Sequence, residues 1–96
     1  MKATLVYHSK VQDDYANTLE IKVWRVPVTE HTPFGYKYAL VYIAEGERVV
    51  GYDNERGKGD HKHIGGDQHS YTFKDISTLL SDFLEDVAVF KRRTYE

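Results

Sequence analysis

Asp75-Ile-Ser-Thr-Leu-Leu-Ser-Asp-Phe-Leu-Glu-Asp-Val-Ala-Val-Phe-Lys-Arg-Arg93 is the stretch on which the fold class turns. Ile76, Leu79, Leu80, Phe83, Leu84, Val87 and Phe90 recur at steps of three and four, so a helix gathers them on one face and leaves Ser81, Asp82, Glu85 and Asp86 opposite. Asp75 stands where a side-chain oxygen can accept from the first free N–H groups of that helix. Lys91, Arg92 and Arg93 lie at its negative end, where cations are favoured. A helix with one apolar face has to be laid on another apolar surface, and the preceding residues must supply it.

Those residues read as strands. Thr18 to Val28 alternates, with Leu19, Ile21 and Val23 on one side and Glu20, Lys22 and Trp24 on the other, the period of a half-buried strand. Pro27 and the run His31-Thr-Pro-Phe-Gly35 break it. Tyr36 to Ala44 places Tyr36, Tyr38, Leu40 and Tyr42 on one face and Ala39, Val41 and Ile43 on the other, which suggests a central strand covered on both sides. Glu45-Gly-Glu47 reads as a hairpin turn into a strand over Arg48 to Tyr52. A short apolar stretch, Leu5, Val6 and Tyr7, opens the chain, Asp13 and Asp14 mark a turn, and Ser70-Tyr-Thr-Phe73 reads as the last strand. The expected fold is α+β, an antiparallel sheet of about five strands with one long C-terminal helix packed on one face. The helix face and the aromatic strands would equally serve a homodimer.

Composition narrows the class. Ninety-six residues suit one hydrophobic core, so 1–96 is read as a single domain. The absence of cysteine removes disulfide scaffolds, thiol nucleophiles and thiolate zinc sites, and fits a cytoplasmic protein. No stretch approaches the ~20 apolar residues of a membrane helix, so no membrane association is expected. A net charge of −2 gives no general attraction to nucleic acid, so such contact needs a local patch. Arg56, Lys58 and Lys62 form one candidate patch, and Lys91 to Arg93 another, although the second is more often a solvated helix end.

The chemistry concentrates in Gly51-Tyr-Asp-Asn-Glu-Arg-Gly-Lys-Gly-Asp-His-Lys-His-Ile-Gly-Gly66, which is dense in ionisable groups and in glycines that let backbone approach a ligand. Gly57-Lys-Gly59 lacks the third glycine of a dinucleotide fingerprint, and no Gly-Lys-Ser/Thr closes a phosphate loop, so nucleotide hydrolysis drops out. His61 and His63 flank Lys62 and in an extended backbone point to one side. One imidazole would take the proton of a ribose 2′-hydroxyl and the other protonate the departing 5′-oxygen. Arg56 and Lys58 would offset phosphoryl charge, with Asp60, Asp53 and Asn54 orienting the groups. Tyr52, Asp53, Asn54, Lys62, Trp24 and Arg25 are the candidate substrate contacts, Trp24 by stacking on a base and Arg25 by pairing with a phosphate. That scheme needs no cofactor. The same two histidines with Asp60, Asp53 or His69 could instead hold a divalent metal. The plainest alternative is a polar hairpin loop whose histidines fasten it to the sheet. His8 and His31 are isolated and carry no role.

Trp24-Arg-Val-Pro27, Tyr36-Lys-Tyr38, the segment from Gly51 to His63 and a leucine-rich final helix with Asp82-Phe-Leu84 together resemble the TumE-type toxins of bacterial and archaeal toxin–antitoxin pairs. The resemblance runs over nearly the whole chain and is most specific at Tyr52-Asp-Asn54 and Lys58-Gly-Asp-His-Lys-His63. It implies a small toxin held inactive by a cognate antitoxin. Other toxins of this size cut messenger RNA with an antiparallel sheet carrying Arg, Lys, Tyr and His, which points to an endoribonuclease with RNA as substrate. The chain departs from the RelE-like pattern, which begins with helices where this chain begins with strands. The rivals are a non-enzymatic RNA- or protein-binding module that inhibits by occupation, and a metal-dependent nuclease.

Overall fold

A computed structural model describes residues 3–54 and 59–96. Among the described residues six strands, β1 (Thr4–Gln12), β2 (Thr18–Arg25), β3 (Tyr36–Ala44), β4 (Glu47–Asp53), β5 (His61–Ile64) and β6 (Asp67–Ser70), precede one helix, α1 (Ile76–Tyr95). The strands pair in chain order, each antiparallel to the next. This is the expected α+β architecture, a meander with a helix on one face.

Two tight turns set the register. Glu45 and Gly46, at φ 54 and 77, join β3 to β4, and Gly65, at φ 60, begins the two-residue link from β5 to β6. Positive φ in such links matches the right-handed twist of the strands they join. β2 stops at Arg25, short of Val28, because Pro27 has no N–H for the ladder. β1 continues well past Tyr7, because pairing with β2 needs no apolar alternation in an edge strand exposed on both faces. The polar segment contributes β5, and the last strand lies at Asp67–Ser70 rather than over Ser70 to Phe73.

The helix supplies the cover that the sheet requires. Leu79, Phe83 and Val87 are buried against Ile21, Val23, Tyr38, Leu40, Tyr42, Val50 and Tyr52, with Phe73 closing one end. Leu84 is half exposed at the margin of the stripe. A helix ~10 Å across spans only two or three strands spaced ~4.8 Å apart, so β1 and β6 project beyond it. Ala39, Val41 and Ile43, on the other face of β3, are therefore only partly buried: one side of this strand is covered, not two. The helix face and the aromatic strands meet each other within the chain. Asp75 accepts from Thr78 N at 2.7 Å, and this N–H holds its carboxyl below the usual range.

Hydroxyl-to-carboxylate bonds fasten the layers. Tyr52 donates to Asp86, Tyr71 to Asp82 at 2.6 Å, Tyr38 to Asp60 at 2.6 Å and Tyr42 to Asp13. Burial first, and then the partner carboxylate, raises all four phenols, Tyr42 to about 12. Among the described residues no helix is long and apolar enough to cross a membrane.

Candidate functional site

Directly paired residues of antiparallel strands point to the same side of a sheet. One cross-strand row runs His8, Lys22, Ala39, Asp53, His61, Ser70, and its neighbour runs Lys10, Glu20, Val41, Gly51, His63, Gln68. Lys62 and Tyr52, one residue out of phase, reach Asp86 on the helix. The two rows therefore lie on the face that the helix leaves open. Two histidines and a carboxylate meet there because β4 and β5 pair Asp53 with His61 and Gly51 with His63.

His61 is only 4% exposed. Its Nδ1 lies 3.0 Å from the Gly59 carbonyl and its Nε2 2.8 Å from Asp53 Oδ1. A carbonyl only accepts, so Nδ1 is the ring nitrogen that donates to Gly59, and Nε2 is the one that faces Asp53. His63, partly buried, stands edge-on to His61 with ring centroids 5.0 Å apart and planes at 82°. One ligand atom from each of Asp53, His61 and His63 lies within 4.8 Å of the others, so a single small group could touch all three.

The other sequence-derived candidates fall elsewhere. Tyr52 and Lys62 share Asp86 on the helix side. Asn54 is buried, accepting from Tyr38 N at 3.0 Å and donating to the Tyr36 carbonyl at 2.8 Å, so it closes the β3 ladder where β4 ends. Asp60 turns to the Tyr38 hydroxyl on the helix side, and His69, paired with Lys62, also faces that way. Trp24 and Arg25 point to opposite faces: Trp24 is on the open one, with Lys37 Nζ 5.6 Å from its ring, while the Arg25 guanidinium stands 5.7 Å from the Tyr36 ring centroid. Arg56 and Lys58 lie outside the described residues.

The open face has a charge of its own. Its strands carry Lys10, Lys22, Lys37 and Arg48 against Glu20 and Asp53, whereas Asp13, Asp60, Asp82 and Asp86 bond to tyrosines on the other side. Glu20 is itself neutralised locally: the His8 hydrogen bond at 2.8 Å and nearby Lys22 hold its carboxyl below the usual range. A chain of net charge −2 thus presents one face with more cations than anions. That asymmetry is invisible in the composition, although strand parity carries it.

Arg48 is the site-face residue that sequence reasoning passed over. β4 slips its register between Tyr42 and Ile43, so that Arg48 pairs with Ile43 and falls on the open face. The Cβ that Gly51 lacks would come 2.7 Å from Arg48 Cδ and 3.1 Å from its Nε. The Arg48 stem therefore runs along β4 over Gly51, and Gly51 is buried beneath it.

A family model described as toxin TumE matches residues 2–90 of the chain. No curated protein and no solved structure matches it.

Proposed function

The chain belongs to the TumE toxin family, and from that premise we propose that it is the toxin of a toxin–antitoxin pair and acts as an endoribonuclease through the Asp53, His61 and His63 cluster. The observation that carries the reading is this cluster's place on a face where cations outnumber carboxylates. Such a face attracts a polyanion that the rest of an acidic chain repels.

In the proposed reaction His63, the less buried of the two rings, takes the proton of a ribose 2′-hydroxyl, and the oxygen attacks the adjacent phosphorus. A proton held in this reaction between His61 Nε2 and Asp53, 2.8 Å apart, passes to the departing 5′-oxygen, leaving a 2′,3′-cyclic phosphate and a free 5′-hydroxyl. Gly59 keeps the His61 ring in one orientation throughout. Arg56 and Lys58, in the segment joining these strands, are proposed to bind phosphate, and Trp24 to stack on a base beside Lys37. The partner that holds such a toxin inactive is a cognate antitoxin, and the site of action is the cytoplasm.

A second reading has its own support. Two imidazoles and one carboxylate within 4.8 Å, with a ring N–H of one imidazole already held by a backbone carbonyl, match the ligand set and outer-shell support of divalent transition-metal sites. Of the three acidic or histidine partners open to the sequence, Asp53 is the one on the same face. Expression of wild type, His61→Ala and His63→Ala in a bacterial host separates the function from the fold. Growth arrest by the wild type alone, with all three proteins melting cooperatively, supports the assignment, and arrest by both folded variants overturns it.

A further inference from the structure

The Arg48 stem lies along the open face over Gly51, the residue that pairs with His63 two positions before Asp53 on the same strand. Arginine presents a planar fork of donors suited to phosphate, and no described carboxylate forms an ion pair with this one. Its position depends on two unusual local features. A register slip in β4 brings residue 48 to the open face, and a residue without a side chain at 51 leaves a trough for the stem. Neither is needed by the core, which lies on the opposite side of the strand through Val50 and Tyr52.

We infer that Arg48 receives the phosphate of an RNA substrate beside Asp53, His61 and His63, and that position 51 is glycine because the Arg48 stem occupies the volume a side chain there would need. This inference rests on the endoribonuclease reading for its ligand and on the geometry alone for its residue. Gly51 does not have positive φ, so alanine is compatible with its backbone, and the added methyl meets the movable Arg48 stem rather than main chain. Gly51→Ala is thus a way of unseating Arg48 without removing it.

The test is binding of a short fluorescent single-stranded RNA, titrated at several salt concentrations, with thermal melts confirming that each variant folds. Arg48→Ala should weaken binding about tenfold and lower the slope against log salt by about one, Arg48→Lys should recover part of the loss, and Arg93→Gln should change little. Gly51→Ala should reproduce the Arg48→Ala loss, and adding it to Arg48→Ala should cost nothing more. Wild-type binding with unaltered affinity in folded Arg48→Ala overturns the phosphate role. Equal further loss from Gly51→Ala in both backgrounds overturns the seating role. A wild type that binds no RNA removes the endoribonuclease reading together with the inference.

Discussion

Raising the pH attacks this fold through its tyrosines. Tyr38, Tyr42 and Tyr52 are at most 1% exposed, and each donates its hydroxyl to an aspartate. Burial and the facing carboxylate push Tyr42 to about 12 and the other two higher still, against an ordinary value near 10. A phenol raised in the folded state keeps its proton longer there than in the unfolded chain. Its contribution is therefore intact below pH 10 and is lost as the pH rises towards the folded value. Each unit above the ordinary value costs about 1.4 kcal/mol per buried phenol, so three of them remove about 4 kcal/mol by about pH 11 and about 8 by about pH 12. Tyr42 adds no more above about pH 12, so a domain of this length in the lower half of the usual range, about 5–9 kcal/mol, unfolds between about pH 11 and 12.5. The assay follows tyrosinate absorbance and far-UV circular dichroism together as the pH is raised. Late ionisation that coincides with cooperative loss of the dichroism is expected, and Tyr52→Phe should reduce the steepness by one proton. Ionisation of all the tyrosines near pH 10 with the dichroism unchanged would refute the burial argument.

Asp75→Ala removes the side-chain cap of α1 and should cost about 1 kcal/mol, lowering Tm by about 4–8 °C in a thermal melt. Asp86→Ala strands the buried Tyr52 hydroxyl and frees Lys62, so a loss of about 1–3 kcal/mol in urea unfolding is expected, whereas Asp86→Asn should recover part of it. Asp53→Asn keeps a hydrogen-bond partner for His61 but removes the charge. RNA cleavage should fall at least tenfold with Tm little changed, and wild-type cleavage by this variant would argue against the shared proton.

The sequence reveals the helix and the central strands plainly, because Leu79, Phe83, Val87, Tyr38, Leu40 and Tyr42 must all reach one core and so impose their periods on the chain. β5 and β6 are harder to see, since four-residue strands at the margin of the helix and beyond it have no apolar face to display. The usable signal was Gly65-Gly66, a two-residue hairpin link between His-Lys-His-Ile and Asp-Gln-His-Ser. The joint facing of His61 and His63 followed from alternation, but their partner did not. Asp53, Asp60 and His69 were equivalent until the register of β4 on β5 put Asp53 beside His61 and the other two on the far side. Arg48 was hidden by the register slip, which no local pattern around Val49 announces.

The central claim is that Asp53, His61 and His63 cleave RNA by moving protons, and its most direct measurement is the integrity of total RNA incubated with purified wild type and His63→Ala, each with and without a strong chelator. Cleavage by the wild type that persists in chelator and disappears in His63→Ala is the predicted result. Intact RNA after incubation with the active-folded wild type, or cleavage undiminished by His63→Ala, would contradict the claim, and cleavage abolished by chelator would transfer the same three residues to a metal.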